Sequence, residues 1–415
     1  MDNGQQESQY QALDECFPII PESRRKHAFF YPSSILLVAV RPAATTLETN
    51  STNLIIGLDP ANAYNTSNDV YTVGELTSLR GETAYPSLEM NHPPGGAINY
   101  STSPPTGANY QNYLIGVQSV VIDALDRLWI LDTGRVLTAS GVLVPATYGG
   151  PKLVGVNLAT NTVFQTIVFP PTVAYGDSYL NDVRLDLRSG LSDTSGRGGV
   201  AYITDSSASG HSGLIVADLG TGESWRHLGL TRAVGAESQF LPFVWGQAGY
   251  YADNAGTPYT GFPIGSDGIA LSADGDTLYW CPLASRYMYS VPTARLRARG
   301  AASELLAQQA VVSHGQKGVS DGLETDSNGM VYVGSMEGNA INVFNPGNGT
   351  TLTFVRDPRI NWVDTMSVAN DGYLYFTVNQ LNFASSTFPG TDRRVRPFAL
   401  FRVKLPNGGS KVSLV

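Results

Sequence analysis

The sequence has few cysteines, no long apolar run and little positive charge, and each shortage excludes a class of protein. Only Cys16 and Cys281 occur among 415 residues, which excludes a cysteine-rich zinc site or disulfide scaffold. The longest apolar run, 35–40, fits a strand but is too short to cross a membrane. Because the net charge is −9, nucleic acid is not an expected partner. We expect a soluble protein without a membrane or nucleic-acid partner.

Familiar catalytic and cofactor motifs are also missing. No two histidines have the spacing of metal ligands, and no G-x-S-x-G elbow, P-loop or dinucleotide fingerprint occurs. The sequence therefore predicts neither a metal nor another cofactor. The two cysteines leave two alternatives, a Cys16–Cys281 disulfide that ties down the N-terminal segment or a buried free thiol at Cys281.

What the sequence has in abundance is one repeated hairpin. In 266–285, SDGIALSADGDTLYWCPLAS, two alternating apolar runs flank an Asp-Gly turn. The same pattern recurs at 117–132, 180–205, 320–335 and 363–379. Because each hairpin is followed by a second pair of strand-like runs, each repeat predicts a four-stranded antiparallel propeller blade.

A further blade is predicted from the strand-like runs at 28–40, 54–58 and 70–79. The fold class is thus all-β, a six-bladed β-propeller over 27–415, preceded by a polar arm over 1–26. The last strand, 398–404, is expected to close the ring against the N-terminal blade. Only 293–310 is typical of a helix, and it lies in a connection.

Candidate binding residues follow from where propeller strands begin. Each innermost strand starts at one rim of the central channel, which we call the mouth, and the loop between the second and third strands returns there. The strand starts carry Gln118, Asp182, Asp267, Asp321, Asp364 and Thr365, and the last loop carries Asn379, Leu381 and Phe383. Convergent carboxylates suit a hard cation. The preferred interpretation is that the four aspartates accept hydrogen bonds from neighbouring backbone N–H groups and lock blade to blade. Ligand contact by some of them is compatible with either interpretation.

Two long connections, 83–112 and 231–263, have the length of functional loops. The second is aromatic and includes Trp245 and Tyr251, which with Trp362 are expected to line a binding pocket. His314 and Lys317 stand just before an innermost strand. They are candidate catalytic hydrogen-bond donors at the mouth, and a surface-loop role is the alternative.

Several strings resemble the Yellow and major royal jelly protein family. They include DRLWILDTG at 126–134, AYITD at 201–205, DGIAL at 267–271 and the segment 362–379. The resemblance covers about 28–405. It implies a six-bladed propeller, usually secreted, with a small-molecule pocket at the mouth.

The resemblance also implies what the pocket does. Members that bind biogenic amines use the loop matching Asn379–Leu381 and the strand start matching Asp364 and Thr365; Leu381 stands where those members commonly have an aromatic residue. Other members are linked to dopachrome conversion. Similar proteins of natural-product pathways catalyse hetero-Diels-Alder coupling of a quinone methide with an alkene.

The first hypothesis is therefore a cofactor-free enzyme of secondary metabolism that couples or rearranges reactive, mostly apolar or aromatic intermediates. Such chemistry needs a dry cavity that aligns the reactants and a few hydrogen-bond donors. The alternatives are a non-catalytic binding protein for an amine or terpenoid, a dopachrome-converting isomerase and, last, a calcium-dependent lactonase. The four glycosylation sequons, at Asn50, Asn65, Asn99 and Asn348, are compatible with secretion, and a cytoplasmic location is the alternative.

Overall fold

Six four-stranded antiparallel sheets form the fold. The computed structural model describes residues 15–18, 36–40, 54–58, 71–78, 81–138, 141–252, 256–395 and 399–415. The first strand of each sheet lies beside the first strand of the next, and the sixth returns to the first. The predicted six-bladed propeller is thereby confirmed.

The strands of each blade are given from the channel outward. Blade 1 contains Leu36–Val40, Leu54–Leu58, Val73–Ser78 and Gly81–Ala84, and blade 2 contains Val117–Ile122, Arg127–Thr133, Pro151–Asn157 and Thr162–Val168. Blade 3 contains Leu180–Asp186, Val200–Asp205, Gly213–Asp218 and Ser224–His227, and blade 4 contains Ser266–Leu271, Thr277–Pro282, Tyr287–Pro292 and Val312–Gln316. Blade 5 contains Leu323–Thr325, Val331–Ser335, Ala340–Asn345 and Thr350–Arg356, and blade 6 contains Val363–Val368, Tyr373–Val378, Ala399–Lys404 and Glu15–Pro18.

The closure of the ring differs from the expectation. Ala399–Lys404 pairs with Tyr373–Val378 and with Glu15–Pro18, not with blade 1. The third strand of blade 6 would otherwise leave an open edge, and the N-terminal strand covers it. Part of the predicted arm is therefore the outermost strand of blade 6. The rest of that arm, residue 398 and the sequons at Asn50 and Asn65 lie outside the described residues.

The cysteine alternatives are also decided. Cys281 is a free, fully buried thiol in the second strand of blade 4. Cys16 lies opposite Phe401 at the outer edge of blade 6. The disulfide alternative is therefore wrong, because the two cysteines belong to different blades.

The helical prediction for 293–310 is confirmed as two short helices, Thr293–Arg297 and Ser303–Gln309. The outermost strand of blade 4, Val312–Gln316, follows them. The helices rest on blade 3, where the Trp225 indole donates to the Leu296 carbonyl at 2.7 Å. None of the helices in the described ranges is long and apolar enough to cross a membrane.

Close contact between neighbouring blades explains the repeated Ser-Asp-Gly strings. A Cβ on Gly268 would lie 2.0 Å from the Asp321 carbonyl oxygen, and one on Gly322 would lie 1.8 Å from the Asp364 carbonyl oxygen. Only glycine allows this approach. The aspartates of blades 4, 5 and 6 are consequently held side by side.

The core lies between the blades. Trp129, Trp280, Tyr202 and Tyr332 are fully buried, so these aromatic residues on the strands belong to the packed core. At the end opposite the mouth, the C-terminal tail (405–415) crosses the channel. Leu187 donates its N–H to the Leu414 carbonyl at 2.9 Å, and the Lys411 ammonium donates to the Ile122 carbonyl at 2.8 Å. The tail therefore ties several blades together and lies across this end of the channel.

Candidate functional site

Three buried carboxyl groups meet at the mouth. Asp267, Asp321 and Asp364 stand at or just before the innermost strands of blades 4, 5 and 6, and they are 2%, 5% and 7% exposed. In blades 4 and 6 the strand register shifts at this point. A bulge of this kind redirects side chains, and here it accompanies the turn of the carboxyl groups toward the channel.

Each of these carboxyl groups has a side-chain partner. Asp267 and Asp321 share a hydrogen bond. The Trp362 indole donates to Asp321 Oδ2 at 2.6 Å, and the Asn379 amide donates to Asp364 Oδ2 at 2.5 Å. These contacts join blade 5 to blade 6 and fix the two residues that were predicted to bind a ligand beside the acids.

Burial raises the pKa of both Asp267 and Asp364 well above the usual carboxyl range, and the negative charge of Asp321 adds to the effect. The pKa of Asp321 is also raised by burial, although hydrogen bonds from Asp267 and Trp362 oppose the rise. Two carboxyl groups can share a hydrogen bond only if one keeps its proton. At least one proton therefore stays in the Asp267–Asp321 pair, and the raised pKa of Asp364 makes that carboxyl a candidate proton donor.

One buried cation faces the cluster. Lys317 is 3% exposed, donates to the Gly318 carbonyl at 2.9 Å and contacts the Cys281 thiol. Burial lowers the pKa of Lys317 and raises that of Cys281. A single amine cannot balance three carboxylates, so proton retention by the aspartates is the remaining way to limit the buried charge.

A lid covers the mouth above blades 4, 5 and 6. We define the lid as the described residues of 236–264 and 381–395; its short strand pairs are Phe243–Val244 with Gln247–Ala248 and Tyr251–Ala252 with Pro258–Thr260. Phe240, Val244 and Phe262 pack on Leu283, Met336 and Trp362 from the three blades. A bridge between Tyr251 and Thr387 connects the two lid segments.

The structure brings the predicted aromatic residues together in this lid. Tyr251 lies 4.9 Å from Phe262, which lies 5.5 Å from Trp362, measured between ring centroids. Trp245 is 49% exposed and lies 6.2 Å from Phe383. Leu381 packs in the same apolar cluster. These rings lie in the lid or directly beneath it, and their lining of a binding pocket stays a prediction.

Trp362 is more enclosed than the sequence suggested. It is 2% exposed and contacts the lid, so replacement by alanine would leave a cavity and weaken the fold as well as any binding. Trp362→Phe is the cleaner change, since it keeps the apolar wall and removes only the hydrogen bond to Asp321.

The remaining predicted residues divide between two places. Asp182 forms an ion pair with Arg184 at 2.9 Å and accepts a hydrogen bond from Ser119 at 2.8 Å. Gln118 accepts from the Tyr179 hydroxyl at 2.9 Å, on the blade 2 and 3 side of the mouth. Thr365 bonds to Asp364 and also lines the channel below. Ligand contacts by these residues stay a prediction.

His314 does not reach the mouth. It lies on the outermost strand of blade 4, where Nε2 contacts the Ser290 hydroxyl at 2.8 Å and the ring lies 5.0 Å from Phe344. Lys317 stands three residues after His314, where the strand has returned to the rim, and therefore lies at the mouth. The expectation that His314 presents a donor there is therefore wrong.

Sequence reasoning missed two features of the blade 6 corner. Asn361 and Asn382 are buried beside Asn379, and the side-chain oxygen of each of these three amides has no protein partner. Buried polar atoms of this kind normally bond to water or a ligand. The Asn-Trp pair just before the innermost strand was the available signal, but its meaning depends on the loop that folds over it.

The described side chains contain no group of three or more His, Cys, Asp or Glu residues placed to hold a metal ion. The aspartates at the mouth instead bond to one another, to an indole and to an amide. The sequence favoured aspartates that lock neighbouring blades through hydrogen bonds, and the contacts between blades agree with that interpretation. Most of the hydrogen-bond partners are side chains, however, not the backbone N–H groups that were expected.

Solved structures with a similar arrangement of strands share little sequence with the chain. A luciferin-regenerating enzyme matches with a TM-score of 0.47 and 11% identity, over 92% of this chain and 94% of that one. Regucalcin from Agrobacterium tumefaciens, a calcium-binding protein, matches with a TM-score of 0.45 and 10% identity, over 90% and 93%.

Sequence comparison gives the family. Protein yellow of Drosophila erecta is 27% identical over 206 residues, which are 46% of this chain and 32% of that protein. Protein yellow of Drosophila melanogaster is 25% identical over 205 residues, with 46% and 32% covered. The chain thus spans about a third of the length of the curated relatives it matches. The family model for major royal jelly protein matches residues 115–405, well over half of the sequence, and the chain therefore belongs to the major royal jelly protein family, which includes Yellow.

Proposed function

We propose that this protein is a cofactor-free enzyme that couples or rearranges reactive, mostly apolar small molecules at the mouth of the propeller. The reaction we favour is hetero-Diels-Alder addition of an alkene to a quinone methide. The observation that carries the proposal is the Asp364–Asn379 pair, in which a proton-retaining carboxyl lies beside an amide oxygen without a protein partner. The pair lies at the corner of blade 6 that the aromatic lid covers.

The chemistry needs a proton donor but no nucleophile. In the proposed complex, the Asp364 carboxyl donates a hydrogen bond to the quinone-methide carbonyl and draws electron density from the heterodiene, which lowers the barrier to addition. The Asn379 oxygen accepts a hydrogen bond from a substrate hydroxyl. One C–C and one C–O bond form, every atom of both reactants is retained, and nothing is oxidised or reduced overall.

The lid supplies alignment and exclusion of water. Trp362, Tyr251 and Phe262 present flat apolar surfaces that can hold two reactants in one orientation. Since Trp362 is buried beneath the lid, a substrate must displace part of the lid to enter. The two-residue strand pairs of the lid make few backbone hydrogen bonds, so opening should require little free energy.

The test compares two aspartates of blade 6. The purified protein is mixed with a generated ortho-quinone methide and an alkene, and the rate and enantiomeric excess of the adduct are measured against the uncatalysed reaction. Asp364→Asn keeps the shape of the side chain but removes the acid, so kcat should fall about 100-fold. Asp371→Asn, at an exposed turn of the opposite rim, is the matched control and should behave as the wild type.

Two results would contradict the proposal. If the wild type binds the reactants in calorimetry but gives racemic adduct at the background rate, the protein is a binding protein. If Asp364→Asn retains full rate and selectivity, the acid is elsewhere.

A further inference from the structure

The channel below the mouth contains a cavity, lined by both apolar and polar side chains, that the proposed reaction does not use. Its volume is about 100 Å³. The walls come from the innermost strands, and the C-terminal tail forms the floor with Lys411, Val412 and Leu414. We call it the channel chamber. Asp182 and Thr365 lie at its upper end, next to the acids of the mouth.

Two buried donors in the chamber wall have no partner in the protein. They are the Thr325 hydroxyl and the Arg184 Nε–H. Thr325 is 1% exposed, so bulk solvent does not satisfy it. Unpartnered polar groups on a cavity wall bind water when there is room, and about 15 Å³ per molecule leaves room for several waters here.

The charges in the chamber balance, which favours a neutral occupant over an ion. Arg184 bonds to Asp182 at 2.9 Å and lies 3.7 Å from Glu324. Lys411, at the floor, faces Glu324, Asp123 and Asp126. Asp123 is already paired with Arg127 at 2.7 Å. The cations therefore have nearby counter-charges, and the unpartnered donors call for a neutral acceptor such as a water oxygen.

We propose that the channel chamber holds a hydrogen-bonded column of water that connects the buried acids of the mouth with solvent at the opposite face of the propeller. Thr365 is the upper link, because its side chain bonds to Asp364 and lines the chamber. Lys411 is the lower link, because it lines the floor and is only partly buried. Each hop passes one proton to an oxygen and releases one from it, so no charge accumulates. Asp364 can then exchange its proton while the lid is closed, whether or not turnover occurs.

Infrared spectroscopy tests this connection without a substrate. The C=O stretch of a protonated buried carboxyl shifts when its proton is exchanged for deuterium, and Asp364→Asn identifies which band belongs to Asp364. After transfer to D₂O, the wild-type band should shift rapidly. Ser367→Leu places a large apolar side chain in the chamber wall. In this variant the Asp364 band should shift at least about tenfold more slowly, because deuterium can then reach Asp364 only through local opening of the protein.

Two further variants make the comparison decisive. Thr353→Leu, at an exposed position of the outermost strand of blade 5, is the matched control and should exchange as the wild type does. Thr325→Val removes an unpartnered hydroxyl and keeps the shape of the side chain, so this variant should fold normally even if Ser367→Leu does not. It should also slow the exchange of the Asp364 proton. Equal rates in the wild type and both chamber variants would overturn the proposal and place the proton path at the mouth.

A crystal structure at about 1.5 Å resolution supplies the direct observation. Waters should lie within hydrogen-bond distance of Thr325 Oγ1 and Arg184 Nε, and the water nearest residue 325 should be absent from Thr325→Val. A dry chamber, or one filled by an organic ligand, would overturn the proposal. Ordered waters in a protein that gives no adduct would refute the proposed function and leave the water column standing.

Discussion

The buried aspartates of blade 2 and of the mouth differ in their partners. At the end of the second strand of blade 2, Asp132 accepts a hydrogen bond from Lys152 at 2.8 Å and from the N–H groups of Ile115, Gly116 and Gly134. At the mouth, Asp267 and Asp321 face one lysine, and these two acids and Asp364 bond mainly to side chains. Burial is similar in both regions, so the number of donors decides the role.

The number of donors separates a structural acid from a candidate reactive one. Asp132 has a full set of donors that hold its carboxyl group in place. The acids of the mouth lack such a set, and burial raises the pKa of Asp267 and Asp364 well above the usual carboxyl range. A fully buried carboxyl is thus a candidate proton donor when the surrounding donors are too few for its charge.

The largest effect is expected for the structural pair. Lys152→Met leaves Asp132 buried without its cation, because both side chains are inaccessible to solvent. The free energy of unfolding should fall by about 3–5 kcal/mol, as measured by urea denaturation at pH 7. Lys404→Met, at an exposed position on blade 6, should change it by less than about 0.5 kcal/mol. Similar values for both variants would show that the blade 2 pair is not structural.

A smaller effect is expected for the lysine of the mouth. Lys317→Met removes the cation facing Asp267 and Asp321, but those acids can compensate by holding protons. At pH 5 the loss should be about 1–2 kcal/mol, and it should increase at pH 8, where proton retention is harder. A loss that is as large as that of Lys152→Met and equal at both pH values would remove the distinction between the two regions.

The smallest effect is a change in pH dependence. In the unfolded chain an aspartate loses its proton near pH 4, whereas burial raises the folded-state pKa of Asp267 well above this value. The folded protein binds more protons between these two pKa values, so its stability falls as pH rises through that window. Asp267→Asn should lose this dependence.

Denaturation at pH 5 and pH 8 measures the difference. Relative to the wild type, Asp267→Asn should gain about 1 kcal/mol of stability between the two pH values. Asp267 interacts with Asp321 and Lys317, so the difference between the two proteins reports the proton held by this group of residues. The opposite sign would mean that the group holds no extra proton in the folded state.

Much of the fold was predictable because its signals are local. The alternation of apolar residues around Asp-Gly turns gave five blades, and the strings at 36–40 and 54–58 gave the sixth. Ring closure was not predictable in the same way, because Glu15–Pro18 and Ala399–Lys404 are far apart in sequence. A strand of four residues contains too little pattern to predict which other strand it pairs with.

The candidate site was predicted in part. The positions of Asp267, Asp321 and Asp364 followed from the repeat, and Trp362 and Asn379 from the loops that return to the same rim. His314 was misplaced because the length of the outermost strand of blade 4 decides which residue reaches the mouth. The residues of that strand do not define its length. The contacts between Lys317 and Cys281, and between the lid and Trp362, join different blades and have no local signal.

The repeat, the blade number, the family and the residues at the starts of the strands could be read from the sequence, because these depend on spacing along the chain. Contacts between distant segments set which acids share protons, which amide oxygens lack partners and where the C-terminal tail crosses the channel. These properties depend on burial and on partners from distant segments, and the free energy of a buried charge is set by all the groups around it rather than by its neighbours in sequence.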